Sequence, residues 1–128
     1  MKNINILICD DDQGNLDILA LLLEFEGYTV NKENDSTKVM KKIKEDCPDI
    51  LILDIWMPVL SGDEIIRMIR KDSQVRYLPI IAYSASYTGA QVAIAAGADQ
   101  YVSKPFNVDE IVGLIGKITV NDSYRFIN

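Results

Sequence analysis

Two hydrophobic patterns alternate along this chain: short unbroken apolar runs, and apolar residues three or four apart. Ile4 to Cys9 is the first run, closed by Asp10-Asp11-Asp12. From Asn15 to Glu26 the spacing turns helical, with Leu16, Leu19, Ala20 and Leu23 on one side and Gly27 as a stop. Thr29 to Glu33 is a short, weaker strand candidate. Ser36 to Asp46 then reads as an amphipathic helix, with Val39, Ile43 and Cys47 on one face and lysines opposite. Ile50 to Leu53 is wholly aliphatic, the mark of a strand buried on both faces in a parallel sheet, and it stops at Asp54, with Pro58 soon after.

The second half repeats the alternation. Ser61-Gly62-Asp63-Glu64 reads as a capping box that opens a helix with Ile65, Ile66 and Ile69 inward and Arg70-Lys71 at its end. Pro79 to Tyr83 is a fourth strand, followed by Ser84-Ala85-Ser86 and an alanine-rich helix from Thr88 to Ala96 with a thin apolar face. Gln100 to Ser103 is a fifth strand leading into Lys104-Pro105. Asn107 and Glu110 cap a last helix whose inward positions are Ile111, Leu114, Ile115 and Ile118. Five strands alternating with five helices, on connections long enough for parallel crossovers, give an α/β fold. With neither internal repeat nor linker, residues 1–128 read as one domain, with a core over 4–118 and a polar tail over 119–128.

Composition narrows the chemistry. The chain has no histidine, which removes Ser-His-Asp and Cys-His catalysis and every histidine-containing metal site. A net charge of −6 argues against direct nucleic-acid binding, since phosphate backbones demand a Lys/Arg excess. No apolar run reaches a membrane span, no signal-peptide pattern opens the chain, and the two cysteines suit reduced thiols, so a cytoplasmic protein is expected.

What remains is carboxylates, hydroxyls and lysine at strand ends. If the first strand lies beside the third, as in the flavodoxin-like, doubly wound order 2-1-3-4-5, Asp10 and Asp11 end next to Asp54. Three crowded carboxylates repel unless one takes a proton or a cation settles among them, and hard oxygen donors select Mg²⁺. Ser84 and Lys104 end the fourth and fifth strands, adding a hydroxyl and an ammonium. Such a set suits phosphoryl chemistry. Asp12 reads as a helix cap rather than a metal ligand, and Tyr83 as a core residue.

Four segments in order, Ile-Leu-Ile-Cys-Asp10-Asp11, Leu-Asp54-Ile-Trp-Met-Pro58, Ser84-Ala85 and Lys104-Pro105-Phe106, resemble those of response regulator receiver domains, over Ile4 to about Ile118. The resemblance implies Asp54 as phosphoacceptor and Asp11 as a direct Mg²⁺ ligand. It implies Asp10 acting mainly through water and the Trp56 carbonyl completing the protein ligands. Ser84 and Lys104 would contact phosphoryl oxygens, Tyr101 would be the switch aromatic, and Lys104-Pro105 would be cis. Ser84 stands where threonine is commoner, and Trp56 where many members carry something smaller or polar.

The function expected on this basis is a phosphorylation-controlled switch in two-component signalling. A sensor histidine kinase or histidine phosphotransfer protein would supply the phosphohistidine. The fourth helix, fifth strand and fifth helix would signal to a downstream protein or form a homodimer. The domain would phosphorylate and dephosphorylate itself rather than turn over a substrate. Two alternatives differ in class: a phosphatase of the haloacid dehalogenase type using Asp10 and Asp12, and a receiver-like interaction module that is never phosphorylated.

Overall fold

The computed structural model describes residues 3–125 apart from Ser86 and Phe106, with only the backbone considered for Tyr87 and for 120–125. Phe106 of the Lys104-Pro105-Phe106 segment and Ser86 after the fourth strand therefore lie outside the described residues. In chain order the elements are β1 (Asn5–Cys9), α1 (Gln13–Phe25), β2 (Thr29–Glu33), a 3₁₀ turn (Ser36–Lys38), α2 (Val39–Asp46), β3 (Ile50–Asp54), α3 (Gly62–Lys71), β4 (Ile80–Ser84), α4 (Tyr87–Ala96), β5 (Gln100–Ser103) and α5 (Val108–Arg125).

The strands form one parallel sheet in the order β2-β1-β3-β4-β5, the flavodoxin-like arrangement. Cys9 pairs with Leu53, Asp54 with Tyr83, and Ser84 with Ser103, so the carboxyl ends of β1, β3, β4 and β5 finish level. Every residue of β3 and β4 is buried, as the unbroken apolar runs require when helices cover both faces.

Each sheet face has its own core. Leu7, Leu51, Leu53, Ile80 and Ala82 meet Val39 and Ile43 of α2, Ile65, Ile66 and Ile69 of α3, and Ala93 and Ala96 of α4. Ile6, Ile8, Ile50, Ile52, Ile81 and Tyr83 meet Leu16, Leu19, Ala20 and Leu23 of α1 with Ile111, Ile115 and Ile118 of α5. Helix α1 is apolar on its outer side as well: Ile18, Leu21, Leu22 and Phe25 are 61%, 69%, 43% and 89% exposed.

At the amino edge of the sheet, Arg70 at the end of α3 makes a clamp. Its guanidinium donates to the carbonyls of Gly97, Arg76 and Leu78 and pairs with Asp99, which also accepts from the Ile80 N–H. One side chain thus joins α3, the entry to β4 and the α4–β5 turn.

Local expectations are corrected in three places. Cys47 is exposed, not on the inner face of α2, because it ends that helix in the left-handed conformation (φ 47, ψ 58) and leaves the register of Val39 and Ile43. Ser61 is the residue before α3, but its hydroxyl donates to the Asp63 and Glu64 carboxylates, so no side-chain cap bond forms to the backbone. Helix α5 runs on to Arg125, past Ile118, since the polar residues that follow include neither glycine nor proline to stop it. The caps at Asp12 and Asn107 do form, accepting from the N–H groups of Asn15 and Glu110.

Candidate functional site

The level carboxyl ends bring three acids together. One oxygen from each of Asp10, Asp11 and Asp54 lies within 4.8 Å of the others, with Asp10 and Asp54 buried and Asp11 at the exposed rim. Lys104 stands over the pair of buried carboxylates, its Nζ 3.7 Å from Asp10 Oδ2 and 3.7 Å from Asp54 Oδ2. Lys104-Pro105 is a cis peptide, and the Lys104 N–H donates to the Ser84 carbonyl.

The two buried acids are held differently. Asp54 Oδ1 accepts from the Trp56 N–H at 3.1 Å. Asp10 has both oxygens engaged, Oδ1 by the Asp12 N–H at 2.9 Å and Oδ2 by the Tyr83 hydroxyl at 2.7 Å. The loop after β3 is itself anchored, because the buried Ser36 hydroxyl donates to the Pro58 carbonyl and accepts from the Leu60 N–H. Gly62 lets α3 start against the end of β3, where a Cβ would come within 2.6 Å of the Asp54 carbonyl oxygen.

Burial above all pushes the Asp54 carboxyl up to about 6; the Lys104 ammonium opposes the rise and the Asp10 charge adds to it. The folded value lies above the unfolded one of 3.8, so the associated stability is complete below the unfolded value and lost as pH rises through the folded one. With EDTA present, Asp54→Asn should therefore melt above the parent by a margin that widens from about pH 4 to about pH 8. A margin independent of pH in parallel thermal melts would contradict the buried charge.

Ser84 and Tyr101 form a second group beside the first. Their hydroxyls are 2.8 Å apart, and the Tyr101 hydroxyl also donates to the Ser84 carbonyl at 3.2 Å. Gly89 in the first turn of α4 faces this pair: a Cβ there would overlap Ser84 Oγ and come within 2.8 Å of the Tyr101 hydroxyl. Trp56, in the loop after β3, is 47% exposed.

All the strand-end residues expected from the sequence thus converge on one edge. Asp12 does not join them; its Oδ1 accepts from the Asn15 N–H and caps α1, as its sequence position suggested. Tyr83 was expected in the core and is there, 1% exposed, but its hydroxyl belongs to the site. Its place one residue before Ser84 was the available signal, because a buried phenol needs a partner and the strand ends nearby are acidic.

Comparison with known proteins gives the family. The response regulator receiver domain profile matches residues 6–116. The chain belongs to this family. Response regulator MprA of Mycobacterium ulcerans is 37% identical over 112 residues, covering 86% of this chain and 47% of that protein. MprA of Mycobacterium leprae is also 37% identical, with 86% and 48% covered. This receiver domain therefore spans about half the length of the curated relatives it matches. Among solved structures, a putative response regulator from Chloroflexus aurantiacus superposes with a TM-score of 0.87 at 28% identity, covering 91% of this chain and 98% of that one. The chemotaxis response regulator CheY4 of Vibrio cholerae gives 0.83 at 25%, with 91% and 99% covered.

Receiver domains take phosphoryl groups from histidine kinases, signal to downstream targets and bind Mg²⁺ at an acidic cluster. The residues present fit such an ion: hard carboxylate oxygens within bridging reach, with Lys104 pairing with Asp10 and Asp54. Among the described residues no helix is long and apolar enough to cross a membrane.

Proposed function

We propose that this receiver domain accepts a phosphoryl group on Asp54 from a partner's phosphohistidine, with Mg²⁺ held by Asp10, Asp11, Asp54 and the Trp56 backbone carbonyl. The observation that carries the reading is a buried carboxylate beside two further acids and within 3.7 Å of a lysine, at the level edge of a parallel sheet. An Asp54 carboxylate oxygen attacks phosphorus, the P–N bond to the donor imidazole breaks, and the departing nitrogen takes a proton from water. Lys104 is within reach of charge developing on the phosphoryl oxygens. Bound Mg²⁺ would neutralise the carboxylates and the transferring oxygens.

Ser84 supplies the hydroxyl for another phosphoryl oxygen. Turning toward it, Ser84 gives up its bond to Tyr101, and the rearrangement passes to α4, β5 and α5, the face read as the output surface. Added charge of about −1.5 to −2 at Asp54 drives the change.

The donor reaches this edge past α1. Ile18 and Leu22 of its exposed apolar side line a cavity of about 440 Å³ whose other walls include Asp10, Tyr83, Lys104 and Pro105. A phosphodonor protein that covers this stripe sets its phosphohistidine at the acceptor. Acetyl phosphate with Mg²⁺ should add one phosphoryl group, and EDTA should prevent it. Ile18→Lys should slow transfer from a phosphorylated histidine phosphotransfer protein by roughly tenfold while labelling by acetyl phosphate stays unchanged. Labelling that survives EDTA would overturn the metal assignment, and equal slowing in both arms would overturn the docking face.

A further inference from the structure

Tyr83 is a core residue with a polar end in the site. It lies opposite Asp54 in the β3–β4 register, yet its side chain packs with the α1 and α5 core, and its hydroxyl reaches Asp10 on β1's end. Because the Asp12 N–H holds the other oxygen, the Asp10 carboxylate is hydrogen-bonded at both oxygens, which opposes its turning about its last bond.

The ring has a separate contact. Lys104 Nζ lies over it, 4.8 Å from the centroid, the geometry of a cation on an aromatic face. The same ammonium is equidistant, at 3.7 Å, from Asp10 Oδ2 and Asp54 Oδ2. The aromatic face therefore gives the end of a long, flexible side chain a third contact beside the two acids.

We propose that Tyr83 is a positioning residue for the phosphoryl-transfer site, its hydroxyl setting the Asp10 carboxylate for the metal and its ring setting the Lys104 ammonium for the phosphoryl group. The inference rests on the Mg²⁺-dependent transfer proposed above. It assigns the two roles to different parts of one side chain. Partners that orient a metal-binding carboxylate from behind are worth roughly 10–100-fold in metal affinity. A charge-assisted bond to a buried donor is of the stronger kind, and removing that donor leaves a buried carboxylate oxygen short of a partner.

Two substitutions separate the roles. Tyr83→Phe keeps the ring and should weaken Mg²⁺ binding by roughly tenfold against the parent. Tyr83→Met removes the ring too and should show the same loss of Mg²⁺ affinity, with a labelling rate by acetyl phosphate at saturating Mg²⁺ roughly tenfold below that of the Phe variant. Mg²⁺ affinity is read from Trp56 fluorescence on titration with the metal alone, and thermal melts in EDTA establish that each variant is folded. A parent protein with no saturable response to Mg²⁺ would overturn the proposed metal site itself. A normal parent with an equally tight Tyr83→Phe variant would overturn the hydroxyl's role and leave the transfer reading standing. Equal saturated rates for the Phe and Met variants would overturn the ring's role. Should the Met variant not fold, the Phe variant alone still decides the first half.

Discussion

Asp54→Asn should abolish phosphoryl incorporation from acetyl phosphate, by roughly 10³-fold or more, in a protein that remains folded. The reacting group is a carboxylate oxygen, and an amide at the same position offers neither its charge nor its nucleophilicity. Shape is preserved, so the Trp56 N–H keeps an oxygen to donate to, and the burial that pushes the Asp54 carboxyl up to about 6 no longer acts on a charge. Loss of labelling together with gain of stability in EDTA is an unusual pair, and it follows only if the acceptor is itself the buried charge. Intact-protein mass spectrometry followed by borohydride trapping and peptide mapping reads the labelled residue. Label persisting on Asp10 in the variant would mean that phosphatase-type chemistry runs through β1 and that Asp54 is not the acceptor.

Gly89→Ala should destabilise the fold by roughly 1–3 kcal/mol through a collision with the Ser84–Tyr101 pair. The sign is the informative part. Glycine to alanine within a helix ordinarily gains up to about 1 kcal/mol, so a net loss shows that the added carbon has no room. Here the atom it meets is Ser84 Oγ, with the Tyr101 hydroxyl 2.8 Å away. Ser84→Ala removes the first of these, so the double variant should recover most of the loss. Denaturant melts of the four proteins give the coupling directly. A more stable Gly89→Ala, or losses that simply add, would mean that α4 does not rest on Ser84.

How far the sequence reached can be seen residue by residue. The strands and the acid cluster were legible because a fully buried strand admits almost no polar residue, so Asp10 and Asp54 mark where the unbroken apolar runs end. Strand order then turned two distant motifs into neighbours. Asp12 was legible as a cap from local chemistry alone. Tyr83 was half legible: periodicity places a tyrosine in a core by its ring and says nothing of where its hydroxyl points. That direction depends on the β3–β4 register and on where β1 gives way to α1. Cys47 failed for a different reason, since a four-residue spacing continues only while the helix does, and one left-handed residue ends it. The approach of Gly89 to Ser84 is a property of packing, invisible in either segment by itself.

The Arg70 clamp has a mechanical consequence. It anchors Gly97, just beyond the end of α4, to α3 and to the entry of β4, at the edge of the sheet remote from the acids. The other end of α4 rests on Ser84. A helix tethered at its last turn and pushed near its first behaves as a lever with its fulcrum at Gly97. A displacement of Ser84 would then be largest where α4 begins and fade toward the pivot, so the helix would tilt instead of translating.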